Sequence, residues 1–434
     1  MTLSLVSNSY IEEYITKIRV KQVPWEGYQR AGHITPEELA LIKKVDRQPK
    51  GKTEPLLLSD GQTYALLYLG LLKKLQRVDT LQSILVLIAD ALTGRITLFT
   101  RASASDPDLP FGPLLRILET QDDFVQLRTS QILTVLLSAE PVPLQQWQLQ
   151  PLLNHLSICV QGASPNKRDV AVQCLEVILP RHEVRKAVWA IPGILNGLVE
   201  TLKSNHNPQM NYQVGFCFWL LTFETEIAEQ INKRYDVIPL FISVAQAAAK
   251  EKVVRVNIAA LRNLVTKAPS ANLPAMLVAQ LLPFVKNLAT RKWSDEDILE
   301  DVQFLRDELK ARFESLTTWD EYASELTSGH LSWTPVHNSE LFWKENVTKL
   351  NERDYFYLKR LTELLRTSQD SIVLAVAAHD LGQYVKYHER GKKTVTDLGA
   401  KTRVMELMSH SSQEVRYEAL LSVQRLVSHP WQSV

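Results

Sequence analysis

A helical pattern that returns about every 42 residues limits the fold more than any other feature of this sequence. In each copy a small or medium residue is followed by a large apolar residue four positions later. A second large apolar residue follows three positions after that. The anchor residues are Thr129, Ala171, Phe216, Asn257, Ala377 and Ala419, with successive spacings of 42, 45, 41, 120 and 42 residues. A period of about 40–47 residues is typical of HEAT and armadillo repeats, whose neighbours stack because one repeat cannot bury its apolar face. We therefore predict an all-α, HEAT/armadillo-like helical solenoid.

The spacing of 120 residues marks a break in the pattern, and the composition changes there. Residues 294–325 hold eleven Asp and Glu against three Lys and Arg. This acidic run suits a solvated helix face, and docking against a basic partner helix is the alternative. Ser294 with Asp297 and Thr318 with Glu321 have the spacing of capping boxes, so we expect helices to begin there. We place an N-terminal solenoid at 1–316 and a smaller C-terminal helical-repeat domain at 317–434.

Composition excludes several classes of function. The net charge of +1 gives no global attraction to nucleic acid, and no apolar run reaches the length of a membrane span. The first twenty residues are interrupted by Glu12, Glu13 and Lys17, which makes a poor signal peptide. Only three Cys occur, all within apolar helical patterns, as expected in a reducing compartment. We expect a cytoplasmic protein without direct membrane insertion or nucleic-acid binding.

The stretch HLSWTPVHNSELFWKEN at 330–346 is the one candidate for a reaction centre. His330 and His337 lie seven residues apart across a Pro, with no third ligand at a spacing typical of zinc sites. Trp333 and Trp343 suit anchors that fix irregular backbone to a helical face. The chain also has no phosphate-binding glycine loop and no HExxH or paired CxxC motif. We expect no catalytic residue, no metal and no cofactor.

The same stretch, read with its flanks, resembles the regulatory H subunit of the vacuolar-type proton-pumping ATPase. The similar segments are SDEDILEDVQFLRDEL, TTWDEYASELTSGHLSWTPVHNSELFWKENVTKLNERDY, VLAVAAHDLGQYVKYHERGKK and QEVRYEALLSVQRLV in the second half, and VPWEGYQRAGHITPEELALIKK, YQVGFCFWLLTF and KEKVVRVNIAALRNL in the first. The resemblance covers residues from about 20 to 430.

The resemblance implies a non-catalytic regulatory subunit of the pump's soluble sector, associated peripherally with the vacuolar or another endomembrane. Such a subunit is required for coupled ATP hydrolysis and proton transport in the assembled pump, and it inhibits hydrolysis in the detached sector. Its partners are the peripheral stalk subunits E and G, the cytosolic part of membrane subunit a, and the catalytic hexamer and central rotor of the detached sector. The alternative is a free-standing armadillo-like adaptor that binds peptide motifs of cargo proteins.

These roles lead to four sets of candidate residues. We expect a groove for the stalk at Tyr212, Trp219, Arg255, Asn263 and Lys267. The candidate inhibitory loop is Arg366, Thr367, Ser368, Gln369, Asp370 and Ser371, and the candidate basic contact turn contains His388, Arg390, Lys392 and Lys393. A subunit with two docked states needs a hinge, which we place at Leu316, Thr317, Thr318 and Trp319.

Overall fold

A computed structural model describes residues 5–93, 95–104, 106–204, 207–315 and 319–428. Throughout these ranges the regular structure is helical, which confirms the predicted all-α class. The first helices are α1 Ser9–Arg19, α2 Trp25–Arg30, α3 Pro36–Val45, α4 Lys50–Ser59, α5 Gly61–Lys74, α6 Val78–Leu92, α7 Ile96–Thr100, α8 Phe111–Ile117, α9 Asp123–Ala139, α10 Gln146–Gln161, α11 Pro165–Ile178, α12 His182–Trp189, α13 Pro192–Ser204 and α14 Pro208–Leu221.

The remaining helices are α15 Thr225–Tyr235, α16 Val237–Ala247, α17 Glu251–Lys267, α18 Pro269–Val278, α19 Leu281–Leu288, α20 Glu296–Ser315, α21 Trp319–Ser328, α22 Pro335–Asn338, α23 Glu340–Asn346, α24 Glu352–Thr367, α25 Ser371–Tyr387, α26 Gly391–Asp397, α27 Ala400–Leu407 and α28 Gln413–Val427. Short 3₁₀ helices occupy Arg101–Ala104 and Val347–Asn351. The chain forms two compact units, Met1–Leu305 (unit 1) and Arg306–Val434 (unit 2). The division falls inside α20, and residues 316–318 at the predicted boundary lie outside the described residues.

The central part of unit 1, from α12 to α17, is built from three-helix repeats. Helices α12 to α14 form one repeat and α15 to α17 form the next, and the long helices pack in series, α9 on α11, α11 on α14 and α14 on α17. A residue with left-handed backbone joins the first two helices of a repeat at Asp236 (φ 50°) and at Gln280 (φ 56°). Gly399 (φ 72°) does the same between α26 and α27 of unit 2. One such residue reverses the chain without a loop, which keeps the repeats compact.

The repeat anchors lie in the layer of long helices, and five of them are completely buried. The exception is Phe216, which is only half-buried in α14. Its neighbour Gly215 occupies the buried position instead, and a Cβ atom there would lie 2.8 Å from Val256 Cγ1 of α17. Gly215 lies 44 residues after Ala171 and 42 before Asn257. The third anchor is thus shifted by one residue, because the helices are too close for a side chain.

The predicted capping box at Ser294 is wrong. The backbone N–H of Asp297 donates instead to Asp295 Oδ1 at 3.1 Å, which places the cap of α20 at Asp295. The Ser294 hydroxyl donates to the Glu251 carboxylate at the start of α17. The acidic residues near 295 therefore contact the preceding repeat as well as cap their own helix.

Unit 2 is organised around α25, which packs on α24 and α28. Twelve of its seventeen residues are buried, including His379 and Asp380. The preceding segments α21 to α23 add Tyr322, Phe342 and Trp343 to the same core. His337 and Trp343 of the stretch singled out in the sequence therefore lie in the core of unit 2, whereas His330 is exposed.

Candidate functional site

A groove in unit 1 brings together four of the five residues predicted to contact the stalk. Its volume is about 1120 Å³, and it lies between α14, α17 and the start of α20. Tyr212, Trp219, Arg255 and Asn263 line it. Lys267, the last residue of α17, is exposed and does not line the groove. The groove thus lies on the two helices that carry the candidate residues, and Lys267 stands one turn beyond it on α17.

Four aromatic side chains form one wall of the groove. Tyr212, Phe216, Trp219 and Phe223 recur at helical spacing along and just beyond α14, and all line the groove. The centroids of successive rings are 6.0, 5.2 and 5.0 Å apart. The first three rings are half-buried, and Phe223 is 39% exposed. A continuous apolar wall of this kind can accept the apolar stripe of a partner helix.

The opposite wall is acidic, and each arginine in the groove is bound to two carboxylates. Arg255 forms ion pairs with Asp295 and Asp297. Arg262 forms ion pairs with Asp301 and, at 2.9 Å, with Glu300. Burial raises the pKa of the Asp301 carboxyl, although the Arg262 guanidinium opposes this shift. Arg255 and Arg262 therefore hold the acidic wall in place and present little free positive charge.

Counting every charged side chain that lines the groove gives an excess of negative charge. The carboxylates belong to Glu251, Asp295, Glu296, Asp297, Glu300 and Asp301, and the cations to Lys252, Arg255 and Arg262. Lys252 lies over the Tyr212 ring, with its Nζ 5.0 Å from the centroid. The first part of the acidic run therefore lines a groove, which favours the alternative of a basic partner over a simple solvated face.

Asn263 is bound within the solenoid. Its Nδ2 donates to Thr222 Oγ1 at 3.1 Å and to the Trp219 carbonyl oxygen at 3.5 Å. These bonds connect α17 to the end of α14. The amide thus fixes the aromatic wall against the next repeat, which makes it a positioning residue for Trp219.

The candidate inhibitory loop of unit 2 is shorter than predicted. Helix α24 ends at Thr367 and α25 begins at Ser371, which leaves only three residues between them. Asp370 caps α25, because its Oδ1 accepts a hydrogen bond from the Ile372 backbone N–H at 2.8 Å. Arg366 donates to the Leu398 carbonyl oxygen at 3.1 Å. Thr367 and Gln369 are exposed and Ser368 is half-buried, so these are the loop residues most available to a partner.

The candidate basic turn has fewer cations than predicted. The His388 ring stacks on Tyr384 with 5.0 Å between centroids, and its Nε2 lies 2.8 Å from Asn351 Nδ2. Burial lowers the pKa of His388, so the ring is neutral at physiological pH and accepts this hydrogen bond. Lys392 donates to the Ser428 carbonyl oxygen. Arg390 and Lys393 are exposed and supply the free charge of the turn.

Of the predicted hinge residues, Leu316, Thr317 and Thr318 lie outside the described residues. Trp319 begins α21 and packs against the core of unit 2. Its ring centroid lies 5.1 Å from that of Tyr357 and 6.4 Å from that of Phe342. Trp319 is thus fixed to unit 2, and any pivot has to lie before it.

His337 is sealed in the core of unit 2 between two carboxylates. Its Nδ1 lies 2.8 Å from Asp380 Oδ2, and its Nε2 lies 3.1 Å from Glu325 Oε2. Burial alone would lower the pKa of His337, but the charges and hydrogen bonds of Asp380 and Glu325 raise it to about 10. Burial would likewise raise the pKa of Asp380, yet His337 holds it below its ordinary value. The ring is therefore a protonated imidazolium.

The aromatic side chains around this pair complete a hydrogen-bonded cluster. The Tyr322 hydroxyl donates to Asp380 Oδ2 at 3.1 Å, and Trp343 Nε1 donates to the His337 carbonyl oxygen at 2.9 Å. Trp333 Nε1 donates to Glu414 Oε1 at 2.6 Å. Protons occupy both ring nitrogens of His337, so the imidazole has no lone pair for a metal. The arrangement is that of a structural cluster.

Three further features bear on function. In the parts of the chain that the structure describes, no group of three or more His, Cys, Asp or Glu side chains is placed to hold a metal ion. None of the described helices combines the length and apolar character needed to cross a bilayer.

The Cys thiols at 159 and 174 are buried, which raises their pKa values to about 11 and about 12 and opposes thiolate chemistry. The repeats and the groove define a helical-repeat protein of the HEAT/armadillo class.

Comparison with known proteins identifies the family within this class. Two family models, both described as the H subunit of the V-ATPase, match residues 9–309 and 315–431. The H subunit of the V-type proton ATPase of Drosophila melanogaster is 35% identical over 99% of this chain and 92% of its own length. A probable H subunit of the V-type proton ATPase of Oryza sativa subsp. japonica is 34% identical over 94% of each chain. The chain belongs to the V-ATPase H-subunit family, a family of regulatory subunits of that pump.

A solved structure supports the fold independently of this family. A crystal structure of an engineered protein matches 96% of this chain and 99% of its own, with a TM-score of 0.51 and 16% identity. At that identity the likeness shows only the fold.

Proposed function

We propose that this chain is a non-catalytic regulatory subunit of the V-type proton ATPase. In the assembled pump it is required for coupled ATP hydrolysis and proton transport, and in the detached soluble sector it inhibits hydrolysis. It acts on the cytoplasmic side, held peripherally at the endomembrane by its partners, and it needs no cofactor. The observation that carries this proposal is the match of both halves of the chain to the H-subunit family.

Unit 1 is the part that binds the peripheral stalk of subunits E and G, and the groove is its contact surface. A helix with an apolar stripe beside Lys or Arg residues would place the stripe on the aromatic wall and the cations against the acidic wall. The free charge of the groove is negative, since Arg255 and Arg262 are already paired with carboxylates. The partner segment is therefore basic.

Trp219→Ala tests the stalk contact, because Trp219 stands in the middle of the aromatic wall. Aromatic residues at the centre of an interface often cost about 2 kcal/mol or more when truncated. We expect at least a tenfold weaker affinity for purified E–G heterodimer, measured by calorimetry. Trp147→Ala is the matched control, since Trp147 is 47% exposed on α10 and outside the groove. Equal affinities of the two variants would exclude the groove as the stalk site.

Unit 2 contacts membrane subunit a in the assembled pump, and the catalytic hexamer or central rotor in the detached sector. The loop after α24 is the inhibitory element, and Arg390 and Lys393 orient it against acidic partner surfaces. The exposed, polar character of the loop supports this role, since such loops reach partners without disturbing the core. A hinge between residues 316 and 318 would let the same unit face either partner.

A reconstitution experiment tests the inhibitory role. The chain is added to detached soluble sector that lacks this subunit, and ATP hydrolysis is measured. We expect inhibition by the parent chain and relief of inhibition by the double variant Ser368→Gly/Gln369→Gly. This variant retains Asp370, whose loss would remove the cap of α25 and confuse folding with function. Unrelieved inhibition would exclude the loop, and no inhibition by the parent would contradict the regulatory role.

The same preparation distinguishes the adaptor alternative. A pump subunit binds the E–G heterodimer and the soluble sector with defined stoichiometry. A free-standing adaptor would instead bind short basic peptides unrelated to these subunits with similar affinity.

A further inference from the structure

A second cavity in unit 1 has the dimensions and lining of a small-molecule site. Its volume is about 610 Å³, and it shares no residue with the groove. It lies between the end of α1, the connection from α3 to α4, and α6. Leu57, Tyr68 and Val86 contribute apolar walls, and charged side chains line the remainder. Cavities of roughly 300–1,000 Å³ with apolar walls and a few polar groups are typical of ligand sites.

Arg95 in this cavity lacks sufficient acceptors. Its side chain is only 14% exposed, and its Nε is buried without a hydrogen-bond partner. Its Nη1 donates to the Thr93 carbonyl oxygen at 3.4 Å, and the Glu54 carboxylate lies 3.9 Å away. Arg19 in the same cavity is, by contrast, paired with a carboxylate, with one nitrogen 2.8 Å from each oxygen of Asp90. A largely buried guanidinium with a free donor is costly unless an acceptor completes it.

Two further cations line the same cavity. Arg47 has left-handed backbone (φ 52°), and its Nε lies 3.5 Å from Asp46 Oδ2. Lys21 is exposed and forms no ion pair with any residue in the described ranges. With Arg19 and Arg95 these make four cations against the three carboxylates of Asp46, Glu54 and Asp90. The excess charge of the cavity is therefore positive.

The start of α4 adds to the positive potential at this cavity. Pro49, its N-cap residue, supplies no capping side chain, and the first turn contains no acidic residue. Lys52 lies in that turn instead. A helix N-terminus carries partial positive charge and normally has Asp or Glu nearby, so a Lys there is unfavourable unless an anion is present.

We propose that this cavity binds a phosphate monoester carried by a molecule with an apolar part. A phosphate presents three oxygens and nearly two charges, which suits several donors converging from different elements better than a carboxylate does. The planar guanidinium of Arg95 binds two of its oxygens, and Arg47 and Lys21 close the mouth of the cavity. The apolar part of the ligand lies along Leu57, Tyr68 and Val86.

The ligand can be a soluble metabolite or a lipid headgroup, since both carry the same group. Binding of the full chain is measured by calorimetry with phenyl phosphate, a soluble monoester with an apolar part, and with short-chain phosphatidic acid below its micelle concentration. Sedimentation with phosphatidylcholine vesicles containing phosphatidic acid or phosphatidylserine forms the third arm. A lipid source predicts binding to phosphatidic acid in both forms and weak binding to phenyl phosphate. A soluble source predicts the reverse, and equal binding to phosphatidylserine vesicles would overturn the site.

Arg47→Gly is the decisive variant, because glycine tolerates the left-handed backbone and the side chain with its charge is removed without backbone strain. We expect about tenfold weaker binding, the loss of one charge-assisted hydrogen bond. Gln280→Gly is the matched control, since Gln280 has φ 56° and lies far along unit 1 from this cavity. Arg95→Gln should abolish binding, and Arg47→Gly remains decisive if that variant does not fold. Unchanged affinity of Arg47→Gly, or no binding of any probe by the parent chain, would overturn the proposal.

Discussion

Arg262 in the groove of unit 1 and His337 in the core of unit 2 are both cations bound between two carboxylates. Arg262 pairs with Glu300 and Asp301, and its side chain is 33% exposed. His337 pairs with Glu325 and Asp380, and its side chain is completely buried. Water and salt screen the first cluster, while the second has exchanged its hydration for hydrogen bonds within the protein. The same arrangement of charges therefore lines a solvated groove in unit 1 and is part of the buried core in unit 2.

Removing one carboxylate from each cluster should give the largest difference in stability between the two units. Asp380→Ala leaves His337 with one counter-ion and removes the acceptor of the Tyr322 hydroxyl. Breaking a buried ion pair costs about 3–5 kcal/mol. Asp301→Ala leaves Arg262 paired with Glu300 in reach of solvent, and we expect a cost of about 1 kcal/mol. Hydrogen exchange in the full chain, followed on peptides from α25 and α17, measures each unit separately.

Equal losses of protection in α25 and α17 would contradict the distinction between the two clusters. So would a loss confined to α17, because it would place the greater stabilisation in the solvated cluster.

The dependence of stability on pH is the next largest effect. The pKa of His337 is raised to about 10 in the folded chain, above the value of about 6.5 for an unfolded histidine. The folded state therefore holds this proton more tightly, and the stabilisation is complete below about pH 6.5 and declines as the pH rises toward 10. We expect unit 2 to lose on the order of 3 kcal/mol across that range.

The low pKa of Asp380 makes the stability of unit 2 depend on pH in the opposite direction. Its contribution is present above about pH 4 and is lost as the pH falls further. Urea unfolding followed between about pH 6 and about pH 9.5 tests the alkaline limb, with His337→Gln as the variant in which the slope should disappear. A parent chain whose unit 2 keeps constant stability up to about pH 9.5 would show that His337 is not a buried cation.

The sequence predicts the groove of unit 1 better than it predicts the cluster around His337 in unit 2. The repeat period and the helical spacing of apolar residues predict the long helices correctly. Both are local signals, because the buried positions recur along each helix. The pattern does not predict Gly215. This small residue permits close packing against Val256, and it lies one position before the predicted anchor Phe216. The acidic wall is visible in the sequence only as a charged run, and its partners Arg255 and Arg262 lie about forty residues earlier.

The cluster around His337 is harder to predict, because its members also lie far apart in the sequence. Asp380 lies 43 residues from His337 in sequence, and no local rule connects them. One signal is present, because Asp380 interrupts the apolar face of α25 at a completely buried position. A charge at such a position requires a partner, although only the three-dimensional fold identifies it.

The smallest expected effect concerns the charge that the groove offers its partner. The sequence alone suggests that Arg255 and Lys267 contact the stalk directly. In the structure Arg255 neutralises Asp295 and Asp297, and Lys267 lies outside the groove. Arg255→Gln should therefore change the free energy of unfolding by less than about 1 kcal/mol, as for other exposed ion pairs. It should also raise the affinity for a basic stalk segment, most clearly at low salt, because the acidic wall loses its internal cation. Lys267→Gln is the matched control with no expected change. Calorimetry with E–G heterodimer at two salt concentrations measures both, and weaker binding by Arg255→Gln would mean that this arginine, and not the acidic wall, faces the stalk.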